Sequence, residues 1–393
     1  MALSPPRREV LSALRDFTAA RWRSERGAPA PERAIIADDT TTADAAYGLA
    51  CQGTGLLWRG DFQNARQMLN ALASRADRPA RKAKPGVDAP AIGVPLATPA
   101  MAAAFHRHRQ SRSQRARTLG MLLVELDAAF GIGLRRAPDV RQACLEAYGP
   151  ADGPSVVSLR ELLGLIGAHE WRAKGIEIPA AGGRIHPHYG VFAPVRREYV
   201  ELVAHAPLPA ATTKSSVAFD IGTGTGVLAA VLARRGLARV IATDNDPRAL
   251  ACARANIERL DLRAKVEVVE ADLFPEGRAA LVLCNPPWVP ARPSSPLENA
   301  IFDPESRMLR GFLAGLAAHL VPTGEGWLIL SDLAEHLGLR TRAELLSTFD
   351  TATLRVVDRT DVRPMHPKAF DAADPLHAAR AAEVTSLWRL AVC

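Results

Sequence analysis

The residues that most restrict what this chain can fold into are Val217-Ala218-Phe219-Asp220-Ile221-Gly222-Thr223-Gly224-Thr225-Gly226, an apolar run that ends at an acid and breaks into alternating glycines. Small hydrophobic residues resume at helical spacing, from Val227 and Leu228 to Val231 and Leu232. The pattern reads as buried strand, tight turn and helix. Without a Cβ, the backbone at 222, 224 and 226 can take positive φ and approach a ligand closely. The helix behind it points free N–H groups at the turn. The spacing is not the G-x-G-x-x-G that seats a dinucleotide pyrophosphate. Asp220 at the strand end can accept from an ammonium or a hydroxyl, which suits a ligand with an amino-acid tail.

Further acids follow at strand ends. Val240-Ile241-Ala242-Thr243 reads as a second strand ending at Asp244 and Asn245, roughly 20 residues beyond the glycines, where an acid grips a ribose diol. Asp246 and Pro247 start a helix as N-cap and first-turn proline. Val266-Glu267-Val268-Val269 is a third strand, followed by Asp272-Leu273, where a carboxylate and a backbone N–H can meet the edge of an adenine. A fourth, Ala280-Leu281-Val282-Leu283-Cys284, opens into Asn285-Pro286-Pro287-Trp288. Open α/β sheets bind ligands along the edge formed by such strand ends.

This ordered set resembles the class I S-adenosylmethionine-dependent methyltransferases. More narrowly it resembles the branch with an Asn-Pro-Pro-aromatic motif, which includes the protein release factor glutamine methyltransferases and the adenine-N6 enzymes. The resemblance covers about residues 185 to 393 and leaves the first half of the chain aside. It implies a seven-stranded, doubly wound (Rossmann-like) α/β sheet, with the seventh strand antiparallel between the fifth and sixth. It also implies S-adenosylmethionine as cofactor, with S-adenosylhomocysteine as product. Asp220, Gly222, Thr223, Gly224 and Gly226 would hold the methionine and ribose region, Asp244 with Asn245 the ribose hydroxyls, and Asp272 with Leu273 the adenine. Asn285, Pro286 and Trp288 would be the catalytic set, with Asn285 also beside the cofactor.

Methyl transfer from a sulfonium is an in-line displacement, so an enzyme must aim a nitrogen lone pair at the methyl carbon and turn the N–H groups aside. The side-chain oxygen of Asn285 and the carbonyl of Pro286 are two acceptors able to hold an NH2 group in that way. Pro286 and Pro287 lack N–H groups and fix the turn. Trp288 offers a flat face for a planar amide, a base or a cation. Trp stands where Tyr or Phe is commoner in the branch, which points to a different acceptor shape. Cys284 reads as a buried strand-end cysteine.

The remaining 184–393 segment supports the same site. Arg184-Ile185-His186-Pro187-His188-Tyr189-Gly190-Val191-Phe192 precedes a helix from Glu198 to Ala204. Tyr189 and Phe192, with Pro287 and Trp288, are expected to wall the acceptor pocket, since a sulfonium is attracted to aromatic faces. His186 and His188 have no Cys or acid at ligand spacing, so no metal is expected. A fifth strand is read at Trp327–Ser331, and the last two at 353–357 and 384–391.

The chain of 393 residues is long enough for two domains. Residues 1–183 read as a mainly α-helical domain for substrate recognition or as a lid. Helices are expected at 7–22, after Asp38, at 62–73 behind the N-cap Asp61, and at 118–131, 139–147 and 158–173. A linker is expected over Pro79–Pro99. Tyr47 and Trp58 serve the core in this reading. The basic run from His106 to Arg117 reads first as a solvated helix face, because no aromatics interleave it for base stacking, with a track along a phosphate backbone as the alternative. The net charge of +7 permits an acidic partner. Five scattered cysteines, without Cys-x-x-Cys, indicate neither a zinc site nor a disulfide framework. The N-terminus lacks a signal-peptide core and no apolar run spans a bilayer, so a cytoplasmic enzyme is expected. The acceptor stays open between a protein side chain, placed first, a nucleic-acid base and a small molecule. Two other readings are an enzyme consuming the aminobutyryl tail of the cofactor and a non-catalytic binding module. Oligomeric state is not legible.

Overall fold

The computed structural model describes residues 20–78, 99–214, 216–293, 298–364, 371 and 374–393. The helix expected at 7–22 and the linker at 79–99 fall almost wholly outside these residues. The chain divides into two compact units, Met1–Val94 with Arg107–Glu170, and Pro95–His106 with Trp171–Cys393.

The first unit corrects the expectation of a mainly helical domain. It is α/β: β1 (Arg21–Trp22), β2 (Arg33–Ala37), α1 (Ala43–Cys51), β3 (Thr54–Trp58), α2 (Phe62–Ala76), α3 (Pro99–Leu119, which runs in from the other unit), β4 (Leu122–Leu126), α4 (Arg141–Tyr148), β5 (Ser155–Ser158) and α5 (Leu159–Lys174, which runs on into it). The strands form one sheet in the order β1-β5-β4-β3-β2, parallel except between β4 and β5. Residues 122–126, expected within a helix, are a strand because Leu122, Leu123, Val124 and Leu126 are all buried in the sheet. A strand covered on both faces shows no alternation to betray it. Asp61 caps α2 as expected, accepting from Gln63 N at 2.8 Å. The guanidinium of Arg136 beside it holds its carboxyl well below the usual range. Trp58 is buried and donates to the Asp61 carbonyl, while Tyr47 is half-buried. The capping box at Ser158 is half formed: Glu161 N donates to Ser158 Oγ, but the Glu161 carboxylate accepts from Glu25 N and the Tyr148 hydroxyl instead.

In the second unit a hairpin of β6 (Ile176–Ile178) and β7 (Gly183–Ile185) precedes α6 (Arg197–His205). Its residues Ile176, Ile178, Ala181 and Ile185 are buried in the core of this unit. The boundary expected at 183/184 therefore cuts through a hairpin that packs as one piece. The main run is β8 (Val217–Ile221), α7 (Val227–Arg234), β9 (Arg239–Asp244), α8 (Pro247–Arg259), β10 (Val266–Glu270), β11 (Ala279–Cys284), α9 (Arg307–His319) and β12 (Leu320–Ser331). It continues with α10 (Leu333–His336), α11 (Arg342–Thr351), β13 (Leu354–Val362), α12 (His377–Ala382) and β14 (Thr385–Val392). The seven strands lie in the order β10-β9-β8-β11-β12-β14-β13, with β14 antiparallel to both neighbours, as expected. Buried side chains cover both faces of the sheet. The strand order reverses between β8 and β11, the place where open α/β sheets leave a crevice for a ligand.

Candidate active site

At that reversal β8 and β11 pair in parallel, with Asp220 opposite Leu283 and Ile221 opposite Cys284. The residues that follow these strands are Gly222 and Asn285, so the glycine turn and the Asn-Pro-Pro-Trp turn leave the sheet side by side, from strands about 5 Å apart.

The glycines have different tasks. Gly226 has φ 80°, and a Cβ there would meet Ala253 Cα of α8 at 3.2 Å, so it sets how closely α7 and α8 pack. Gly224 has φ 55° and nothing within 4 Å of where its Cβ would be, so its missing side chain faces open space. A Cβ on Gly222 would collide with Met308 Cε at the start of α9. Asp220 is 1% exposed; its Oδ2 accepts from the Thr223 hydroxyl at 2.6 Å and from Ala229 N at 3.0 Å. Burial pushes its carboxyl up to about 6, against those two donors. Asp244 ends β9 and ties down the same turn, accepting from Gly224 N and Asp246 N, both at 3.0 Å. Burial raises its carboxyl too. Asn245 beside it is exposed. Asp246 caps α8 with Pro247 in the first turn, as expected.

Beyond β10, Leu273 takes a left-handed backbone, φ 78°, held by the Thr243 hydroxyl donating to its carbonyl at 2.6 Å. Such a conformation costs of order 1–3 kcal/mol in a non-glycine residue and clusters at ligand clamps. The Asp272 carboxylate is exposed and paired with Arg307 at 2.6 Å. Cys284 is fully buried, and burial raises its thiol well above the ordinary value, which leaves it unreactive.

At the end of β11, Pro286 is buried and Asn285, Pro287 and Trp288 are half-buried. Trp288 Nε1 donates to Asn285 Oδ1 at 2.9 Å. The Arg196 guanidinium lies 5.4 Å from the Trp288 ring centre and is paired with Glu383 at 2.8 Å. Glu383 is 1% exposed and also accepts from the Ser331 hydroxyl. Tyr189 faces Arg248 on α8, with the guanidinium 5.7 Å from its ring centre. Phe192 is 37% exposed, while Val191 between them packs on Ala249 and Cys252. His186 is taken up structurally, its Nδ1 2.6 Å from the Arg172 carbonyl and its N–H donating to Asn256.

Three residues here escape a reading of motifs. Arg196 and Glu383 are 187 positions apart and meet only through the fold. Asp303 is buried and accepts from Met308 N and Leu309 N at the start of α9, while its own N–H donates to the Val289 carbonyl. The acid just ahead of Pro304 was the available signal for Asp303, since such a residue commonly caps a helix start.

Fold and site together define a class I S-adenosylmethionine-dependent methyltransferase domain. Residues 183–354 match the family described as Methyltransferase small domain. The ribosomal protein L11 methyltransferase of Pelotomaculum thermopropionicum is 49% identical over 69 residues, 17% of this chain and 22% of that one. A release factor glutamine methyltransferase of Cereibacter sphaeroides is 40% identical over 111 residues, 27% and 36% of the two chains. The tRNA1(Val) (adenine(37)-N6)-methyltransferase of Shewanella loihica is 30% identical over 148 residues, 35% and 59%. The chain thus matches from about a fifth to three-fifths of the length of these curated relatives. Among the described residues no helix is long and apolar enough to cross a membrane.

The residues present fit S-adenosylmethionine. Gly224 leaves open space beside the turn, the buried Asp220 and the half-buried Asp244 flank it, and Leu273 holds its strained backbone at the next strand end.

Proposed function

We propose that the chain is an N-methyltransferase acting on an amide or amine nitrogen, with a protein side chain as the acceptor. The observation that carries this reading is that Gly222 and Asn285 directly follow the paired residues Ile221 and Cys284, which favours two acceptors for an NH2 group at the edge of the cofactor crevice. The bound cofactor supplies a sulfonium-activated methyl group. In this reading Asn285 Oδ1 and the Pro286 carbonyl hold the two N–H bonds of the acceptor, so the nitrogen lone pair points away from them. Trp288 lies flat beside the acceptor plane and Arg196 keeps that ring in place. Asp220 and Asp244 shape the glycine turn against the cofactor's amino acid and ribose. Tyr189 and Phe192 wall the entrance, and Asn245, Asp272 and Leu273 bound the ribose and adenine side. The first unit would present the acceptor, and the chain would work in the cytoplasm.

Relatives named for glutamine in release factors and for a ribosomal protein support the protein acceptor. A nucleic-acid base is the second reading, favoured by the relative named for a tRNA adenine. Incubating the full chain with cofactor carrying a labelled methyl group and an extract from a deletion strain tests both. Label is expected in protein. Label in RNA or DNA would replace the first reading with the second, and methylthioadenosine in place of S-adenosylhomocysteine would sink methyl transfer altogether.

A further inference from the structure

The turn that follows β10 is held by one stripe of a helix. Arg307, Gly311, Gly315 and His319 stand four residues apart along α9 and so share a face. Asp272, Leu273 and Phe274 lie against that face in the same order. The Asp272 carboxylate pairs with Arg307 at 2.6 Å. A Cβ on Gly311 would come within 2.6 Å of Leu273 Cδ1, and one on Gly315 within 2.5 Å of Phe274 Cε2, so both side chains occupy the space that the glycines leave. The Phe274 ring lies parallel to His319, with ring centres 4.2 Å apart, and to Phe312 at 5.9 Å. His319 Nδ1 is 2.8 Å from the Gly315 carbonyl, which fixes the imidazole plane. Glycine inside a helix is less stable than alanine, and here each has a neighbour that an added carbon would displace.

The helix is itself fixed at its start, where Asp303 accepts from Met308 N and Leu309 N and the Met308 methyl fills the space beside Gly222. From β9, the Thr243 hydroxyl holds the Leu273 carbonyl at 2.6 Å. The side chain and the carbonyl of Leu273 are therefore both fixed, in a left-handed backbone with φ 78°. Its N–H has no hydrogen-bond partner among the described residues.

We infer that Gly311, Gly315 and Phe274 are positioning residues for the cofactor's base: they set the direction in which the Leu273 N–H points. Their role toward the base rests on the reading of Leu273 at the adenine edge; their packing against the turn does not. Adenine N1 is a hydrogen-bond acceptor, whereas N1 of hypoxanthine carries a hydrogen. An N–H aimed at N1 therefore selects adenine, because with hypoxanthine a donor faces a donor. A site built around such a hydrogen bond rejects the analogue that cannot make it. Base selectivity then depends on the aim of one backbone group, which the face of α9 sets.

Isothermal titration calorimetry of the full chain with S-adenosylhomocysteine and with S-inosylhomocysteine, which has hypoxanthine in place of adenine, tests this. The wild type is expected to bind the adenine form at least about tenfold more tightly. Gly311→Ala and Gly315→Ala should each cut that preference to within about threefold, as the hydrogen bond that discriminates is pulled out of line. Phe274→Leu removes the ring and adds no atom to the helix; it should do the same, and it decides the matter if an alanine variant does not fold. A purely structural part for these residues would lower Tm and leave the ratio between the two ligands at its wild-type value. That result in the folded variants overturns the role of α9 and keeps Leu273 at the adenine edge. A wild type that binds both forms equally, or neither, overturns the adenine assignment of Leu273 and the positioning role with it.

Discussion

The indole N–H of Trp288 donates to the side-chain oxygen of Asn285 at 2.9 Å. The oxygen assigned to an incoming acceptor is thus already engaged by its own turn, and an acceptor amide must exchange with the indole. Phenylalanine at 288 would keep a flat face and remove the competing donor. Trp288→Phe is expected to lower KM for the acceptor about fivefold, the net worth of one hydrogen bond near 1 kcal/mol, with kcat little changed. Steady-state kinetics checks this, and a raised KM would mean that the indole N–H helps to hold the acceptor.

Asn285→Ala removes the acceptor oxygen while leaving β11 and both prolines in place. A fall in kcat of about 10²–10³, as for the loss of one preorganised polar group, is expected. Calorimetry should find S-adenosylhomocysteine affinity within about twofold of wild type. An equal loss of cofactor affinity would move Asn285 from the acceptor to the cofactor.

The Asp220 carboxyl is raised from 3.8 to about 6, chiefly by burial. The folded chain therefore holds a proton there that the unfolded chain releases. Stability from this group is fully present below about pH 4 and is lost as pH rises to about 6, on the order of 3 kcal/mol in all. Asp220→Asn should flatten that slope in urea melts at pH 4 to 7. A cationic ligand favours the ionised carboxylate, so cofactor affinity is expected to rise between pH 5 and 7 in the wild type and not in the variant.

Gly224 and Gly226 should respond differently to alanine. At 226 the added carbon meets Ala253 Cα at 3.2 Å, and a lowered Tm is expected from overpacking of roughly 1–3 kcal/mol. At 224 the carbon meets no protein atom within 4 Å. Only the left-handed backbone is penalised there, by about 1 kcal/mol, while S-adenosylhomocysteine affinity should drop at least about tenfold. Differential scanning calorimetry with and without the ligand separates the two.

Glu383→Ala strips Arg196 and Ser331 of a shared buried partner. Breaking a buried pair in this way costs about 3–5 kcal/mol. Urea denaturation is expected to show that loss. The fluorescence of Trp288 should also become more exposed to a neutral quencher as its guanidinium cover is released.

The second unit was legible because its sheet announces itself at strand ends. Asp220, Asp244 and Asn285 each close an apolar run, and Asp246-Pro247 marks a helix start that no tertiary contact overrides. The first unit was not. Its β3, β4 and β5 are runs of four or five residues buried almost throughout, and such a run cannot be told from a stretch of buried helix by periodicity. Within the site, the oxygens of Asn285 and Asp272 were legible as acceptors. Their engagement by Trp288 and Arg307 was not, because both partners arrive through turns whose geometry the sequence does not encode locally. Arg196 and Glu383 lie in no motif, and only the packed chain gives them neighbours.

Strand β14 is wedged between β12 and β13 although it follows both in the chain. A ribosome therefore delivers the two outer rails before the piece that joins them, and the sheet stays open along that seam until residues 385–392 have left the exit tunnel. Glu383 comes out with the same stretch, so the clasp on Arg196 forms at that late moment as well.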